Sequence, residues 1–199
     1  TYLVAFDYDV AGMETGSMVY RVKYEGTIYP PRLTLGGYDF AGYRELTQAQ
    51  MNAGLTITQD ETYHAQWTPR NDTPYRVEHY TQSADGRGYL LLGGDSAIES
   101  RTGTTGGSVS ISGLKRSAEG LTLVKASVDG KEISIANGSF TIGADGKTVV
   151  KLYYDRKSYT LTLDEANGTA PTTESKLYDL RITLPTPEKQ GYTFAGWYN

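Results

Sequence analysis

The sequence predicts a mainly β or α+β chain of small tandem modules with at most short helices. Three observations carry this. First, GYDFAGY (residues 37–43) returns near the carboxyl end as GYTFAGW (residues 191–197). Second, YLVAFD, from Tyr2, and YTLTLD, from Tyr159, precede the two copies in the same order and at nearly the same spacing. Two matched segments in one order make an internal repeat. Third, the chain has 17 Tyr and 23 Gly but only 3 Met. With its many Thr and Val, that composition favours strands and turns over helices.

Taken in order, residues 1–9 alternate as a strand. A loop through Gly12 and Gly16 returns to MVYRVKY, where Met18, Tyr20, Val22 and Tyr24 oppose Val19, Arg21 and Lys23. This pattern is a hairpin with one buried face. Pro30 and Pro31 then interrupt pairing and lead into GYDFAGY. A period of two places Tyr38 and Phe40 on one face and Asp39, Ala41 and Tyr43 on the other. The same division sets Tyr192 and Phe194 against Thr193, Ala195 and Trp197. In LTQAQMNAG, Leu46, Ala49 and Ala53 are at helical spacing, Thr47 is a cap and Gly54 lies past the end, so about two turns of helix are expected. LTIT and TYHAQW add two short strands, the second placing Tyr63, Ala65 and Trp67 on one face.

TPRNDTP (residues 68–74) has two Pro, two charges and no apolar residue, and reads as a linker. The middle stretch is again strand-rich. Its Asp85-Gly86, Asp129-Gly130 and Asp145-Gly146 pairs each suit a tight turn between strands. The third module starts at Ser158 almost without a linker, and Leu180, Ile182 and Leu184 alternate with Arg181 and Thr183 before the second motif copy. Nothing in it corresponds to residues 44–67. The division expected is therefore 1–68, 74–156 and 157–199. Because the pattern runs to both ends, the reading is of a piece of a longer protein, with its targeting signals and flanking domains elsewhere.

A strand ending in Asp, an Asn167-Gly168 loop, LPTPEKQ and then GYTFAGWYN together resemble the Listeria-Bacteroides repeat, the B-repeat of internalin-type bacterial surface proteins. The residues carrying the resemblance are Gly37, Tyr38, Phe40, Gly42, Tyr43 and Trp67 in the first copy, and Gly191, Tyr192, Phe194, Gly196 and Trp197 in the second. In the first copy Tyr43 stands where the family has Trp, and DYDVAGMETG replaces its Asn-Gly-Gly loop. PYRVEHY, TGTTG and DGKTVVKLYYDR resemble the mucin-binding-protein-like domain that accompanies such repeats. The resemblance implies β-grasp-like sheets, an extracellular place on the bacterial cell surface or wall, and a role as stalk or adhesin. The partners it implies are a host surface protein or mucin-type glycan.

Composition narrows the alternatives. A net charge of -4 and no basic run longer than two residues leave nucleic acid an unsuitable partner. No stretch approaches the ~20 apolar residues that a membrane helix needs, so no membrane insertion is expected here. Without Cys, disulfides and thiolate metal sites are excluded. Ser112 and Lys115 fit Ser-x-x-Lys, but no Ser-Asp-Asn or Lys-Thr-Gly accompanies them. Gly146-Lys147-Thr148 resembles the end of a phosphate loop, yet Thr141 stands where its first Gly belongs. His64 and His79 lie in different modules without metal-ligand spacing, and His79 is expected to be half-buried on the face of Tyr75 and Val77. No catalytic residue, cofactor or metal is assigned. Tyr is the surplus that could bind sugars or protein, although cross-strand packing accounts for most of it. The expected function is a non-catalytic stalk or adhesive segment. Its competitor is a set of carbohydrate-binding modules attached to a secreted enzyme.

Overall fold

A computed structural model describes residues 1–10 and 16–198; Gly12, in the expected first loop, and Asn199 lie outside the described residues. The chain packs as two compact units. One comprises Thr1–Arg76, Ser100–Val109 and Phe140–Thr148, the other Val77–Glu99, Ser110–Ser139 and Val149–Asn199. The described residues form open sheets with one short α-helix.

The first copy of the repeat contains β1 (Tyr2–Asp7), β2 (Ser17–Val22), β3 (Gly26–Ile28), β4 (Tyr38–Tyr43), α1 (Gln48–Ala53), β5 (Leu55–Ile57) and β6 (Glu61–Pro69). Its main sheet has the order β2-β1-β6-β4, and β3 pairs separately with β5. The last strand, β6, is thus inserted between two earlier ones, parallel to β1 and antiparallel to β4. A parallel neighbour requires a long crossover, which the intervening elements provide. Val4, Phe6, Tyr43, Tyr63 and Ala65 meet Leu33, Leu55 and Ile57 in the core. The Phe6 ring lies 5.4 Å from that of Tyr63 and 5.1 Å from that of Tyr43.

The expected buried hairpin face departs from the pattern at β2. Met18, Val19 and Tyr20 remain 38%, 57% and 36% exposed because β2 is an edge strand and the core lies under β1 and β6. The strict alternation in β4 also fails. The register with β6 shifts between Phe40 and Gly42, and Gly42 has φ +116°. The extra residue turns Tyr43 onto the side of Phe40, with their rings 5.1 Å apart. A side chain at Gly42 would have to adopt that backbone and press on the Met51 methyl at 3.2 Å.

Helix α1 follows its expected caps. Thr47 accepts from the Gln50 N–H, the Gln50 side chain accepts from the Thr47 N–H, and Gly54 closes the helix at φ +83°. Its packing differs from the expectation: Ala49 and Ala53 are exposed, while Leu46 and Met51 reach the core. The expected linker is largely strand, since β6 runs to Pro69 and β7 (Thr73–Gln82) starts three residues after Arg70. The Arg70 N–H donates to Gly37 O (2.9 Å), and the Thr105 N–H donates to Arg70 O (2.8 Å). Buried Thr105 also donates its hydroxyl to Gly37 O at 2.7 Å and meets the Thr73 hydroxyl at 2.6 Å. Gly37 has φ +74°, and a Cβ there would lie 2.7 Å from Thr105 Oγ1 and Ala144 O.

The chain continues through β8 (Tyr89–Leu91), β9 (Ile98–Gly103), β10 (Ser108–Ser110), β11 (Leu121–Val128), β12 (Lys131–Ile133), β13 (Ser139–Thr141) and β14 (Val149–Arg156). The largest sheet has the order β12-β11-β14-β7-β8, with β9 also on β7, and β10 pairs with β13. Asp129 and Gly130, both at positive φ, make the two-residue turn between β11 and β12. Asp85-Gly86 lies in a longer loop before β8. Asp145-Gly146 forms a turn, but the strands around it, β13 and β14, are in different sheets. His79 is wholly buried rather than half-buried, because β7 is an inner strand covered on that face. Its Nδ1 is 3.1 Å from the Tyr154 hydroxyl and its Nε2 is 3.2 Å from Glu99 Oε1, which also accepts from Arg116 Nε at 2.9 Å.

Among the described residues the second copy contains only β15 (Ser158–Leu163) and β16 (Thr172–Leu177), an antiparallel pair. Residues 180–184, whose alternation suggested a strand, form none, and Ile182 and Leu184 are about two-fifths exposed. GYTFAGW is not a strand either. The first copy explains both departures: β3 pairs with β5, and β4 pairs with β6. Both partners lie within residues 55–69, which have no counterpart among the described residues of the second copy.

Candidate functional site

The aromatic motif residues of the first copy pack against one another. Phe40, Tyr43 and Trp67 converge on β6, with ring centroids of Phe40 and Trp67 5.5 Å apart and the Trp67 ring stacked on Tyr8. Trp67 Nε1 donates to Tyr8 O. Around GYDFAGY a local clasp closes, in which the Tyr43 hydroxyl donates to Pro31 O, twelve residues upstream, at 2.7 Å. The second copy repeats it: Trp197 Nε1 donates to Pro185 O, again twelve residues upstream, at 2.9 Å. Leu35 and Tyr38 form an isolated bridge, as do Lys189 and Tyr192. Gly37 and Gly191 both have positive φ, as do Gly42 and Gly196. Phe194 meets Trp197 edge to face at 5.7 Å, so Trp197 is not turned away from Phe194 as alternation suggested. Tyr192 and Phe194 are nonetheless 74% and 37% exposed.

A group of aromatic and charged side chains gathers elsewhere, on one face of the largest sheet. Tyr80 of β7 stacks on Tyr153 of β14 with ring centroids 5.2 Å apart, and Tyr89 of β8 meets Tyr153 edge to face at 5.1 Å. Lys125 lies over the Tyr153 ring and Lys151 over the Tyr80 ring, at 5.9 and 5.7 Å. Carboxylates frame the rings. The Tyr80 hydroxyl donates to Glu78 at 2.7 Å, Tyr89 donates to Asp155, and Lys125 pairs with Glu132 at 3.2 Å. The hydrogen bond to Asp155, helped by burial and by the carboxylate's charge, pushes the Tyr89 phenol up to about 12. Leu90, beside Tyr89, is 63% exposed. Half-buried rings held by ammonium and carboxylate groups present flat apolar faces with polar rims, a combination suited to a sugar or a protein surface.

The sequence singled out tyrosine as a class without locating this cluster. The signal was present in KLYYD, since Lys151, Tyr153 and Asp155 fall on one face at a period of two while Val150, Leu152 and Tyr154 are buried beneath.

The weaker motifs have other partners. Ser112 shares a hydrogen bond with the Ser110 hydroxyl at 2.8 Å. The Lys147 N–H donates to Asp145 Oδ1 at 3.1 Å, within the turn of Asp145-Gly146. His64 Nδ1 is 2.7 Å from Glu45 Oε1, with Asp7 at 3.9 Å from its other nitrogen. Burial acts to raise the Glu45 carboxyl, but the main-chain and ring hydrogen bonds from His64 hold it below its ordinary range. Among the described residues, no group of three or more His, Asp or Glu is placed to hold a metal ion, and no helix is long and apolar enough to cross a membrane. No curated protein matches the chain. Residues 159–199, the second copy with its proline clasp and GYTFAGW motif, match the Listeria-Bacteroides repeat domain.

Proposed function

We propose that the chain is a non-catalytic segment of a bacterial surface protein, built of three small β modules (residues 1–68, 74–156 and 157–199). It acts as a semi-rigid stalk, and its middle module binds a host glycoprotein or mucin-type glycan. The observation that carries this reading is the repeat, matched over residues 159–199 to a family of repeat domains in bacterial surface proteins. Two seams support stiffness. At the first, Thr105 fastens Gly37. At the second, the Tyr178 ring covers Gly120 so closely that a Cβ there would lie 2.0 Å from it, and Arg156 donates to Tyr178 O at 2.9 Å. Short, hydrogen-bonded junctions leave little of the freedom of a flexible linker. The Tyr80, Tyr89 and Tyr153 face supports the binding role, and weak affinity per module is multiplied in an array.

The test compares bacteria displaying the intact protein with bacteria in which residues 74–156 are replaced by an unrelated β module of similar length. Attachment to mucin-coated surfaces is expected to fall on replacement and to fall similarly in the Tyr80→Ala, Tyr89→Ala double variant. Full attachment after replacement refutes the binding role, and turnover of a glycan or peptide by the purified chain refutes the non-catalytic reading.

A further inference from the structure

A pocket of about 230 Å³ opens in the first copy between the proline segment and α1, lined among others by Pro31, Arg32, Phe40, Gln48, Met51 and Asn52. Pro30 and Pro31 have no N–H to pair and lie between β3 and β4, outside both strands. The Tyr43 hydroxyl holds Pro31 O at 2.7 Å. Gln48, Met51 and Asn52 stand three and four residues apart on α1 and so share one face. Gly42 keeps the floor open, since a Cβ there would press on the Met51 methyl at 3.2 Å. The pocket is thus shaped by the fold of the first copy itself.

Its lining divides into an apolar wall and a polar rim. Phe40 and Met51 are partly buried and packed on the core, and Pro31 continues the wall they make. Arg32 is the one charged residue of the lining among the described residues, and its guanidinium has no hydrogen bond or ion pair among them. A guanidinium without a carboxylate offers a planar fork to an anion. Gln48 Nε2 donates to Asn52 Oδ1 at 3.0 Å, which leaves Gln48 Oε1 to accept and the Asn52 amide N–H groups to donate. The volume is below the ~300–1,000 Å³ of a site for a drug-sized ligand, and suits one small terminal group.

We propose that this pocket binds an acidic N-acetyl sugar of the sialic acid class, at the end of a host glycan. Arg32 takes the carboxylate in two parallel hydrogen bonds, Gln48 Oε1 accepts from the acetamido N–H, and Asn52 donates to a sugar hydroxyl. The acetyl methyl lies against Phe40 and Met51. A neutral sugar leaves Arg32 without its anion. A peptide ending in a free carboxylate has the anion but not the hydroxyls, and is the competitor to be measured. The site is separate from the tyrosine face of the largest sheet and does not rest on it.

The probe is 3′-sialyllactose, titrated into the purified 199-residue protein and followed by amide NMR, with lactose in parallel. Saturable shifts are expected at Arg32 and at the side-chain amides of Gln48 and Asn52 with the sialylated sugar, and none with lactose. Arg32 is exposed, so Arg32→Gln should keep the urea melt of the parent while binding at least about tenfold more weakly, as the loss of a charge-assisted pair requires. The Tyr80→Ala, Tyr89→Ala double variant should bind the sialylated sugar as the parent does, so this result is read apart from that of the middle module. Equal shifts with lactose, no shift at these residues, or undiminished binding by Arg32→Gln overturns the proposal. So does N-acetyl-glycyl-leucine shifting these residues where the sialylated sugar does not.

Discussion

GYDFAGY and GYTFAGW form the same local structure and different secondary structure. Both close an aromatic side chain onto a prolyl carbonyl twelve residues upstream, both place a bridge before the motif, and both bring two rings edge to face. Yet the first is a strand inside a sheet and the second is not. The clasp is made by residues near in sequence and forms wherever they occur. Strand character needs a partner, and among the described residues only the first motif has one, β6. The difference teaches that the module is encoded at two levels: the motif shapes itself, and the closing strand makes it part of a sheet.

The largest expected effect separates these levels. Tyr43→Ala removes a ring that is 2% exposed and packed on Phe6, Phe40 and Tyr63, and should cost about 3–5 kcal/mol in urea melts. Trp197→Ala removes the equivalent ring from a half-exposed place and should cost about 1 kcal/mol or less. Equal losses would mean that the two motifs are packed alike.

A glycine pair sharpens the comparison. Gly37 and Gly191 both adopt positive φ, so an alanine at either carries about 1–2 kcal/mol of backbone strain. Gly191 has open space where a Cβ would go, whereas at Gly37 it would meet Thr105 and Ala144. Gly37→Ala should therefore lose a further ~1–3 kcal/mol by overpacking, read as the difference between the two melts.

Much of this was legible in the sequence, and the rest was not for identifiable reasons. Thr47 and Gly54 announce α1 because capping is a contact over three or four residues. Tyr63, Ala65 and Trp67 share a face as their period requires. Alternation misplaced Tyr43 because a bulge at Ala41 and Gly42 inserts one residue, and Trp197 because its segment is not a strand; a period of two carries no sign of either. Residues 180–184 have the pattern of a strand, yet pattern cannot supply the partner that β5 gives to β3. The tyrosine face joins β7, β8, β11 and β14, whose adjacency depends on sheet order rather than on any local spacing.

Smaller effects probe the seam that involves the first copy and has no equivalent at GYTFAGW. Thr105→Val removes the hydroxyl shared by Gly37 O and Thr73 and should cost about 1–2 kcal/mol, while residues 158–198 keep their exchange behaviour. Alkaline titration gives the smallest signal. Burial raises the Tyr43 and Tyr63 phenols in the first copy and Tyr154 in the largest sheet, and Tyr89 is pushed up to about 12. With the folded value above the unfolded one of about 10, each contributes stability that is fully present below pH ~10 and lost as pH rises through the folded value. Stability should thus fall above pH ~10, and Tyr89→Phe should remove that group's share of the slope. A stability that holds constant through pH ~12 would contradict the buried placement of these phenols.

Residue-resolved hydrogen exchange on the intact 199-residue chain tests most directly the claim that β6 makes the motif a strand. The amides of β4 that pair with β6 should be strongly protected, and those of residues 192–197 should exchange close to the rate of an open chain apart from the Lys189–Tyr192 bridge. Equal, strong protection of both motifs in the monomer would contradict the account.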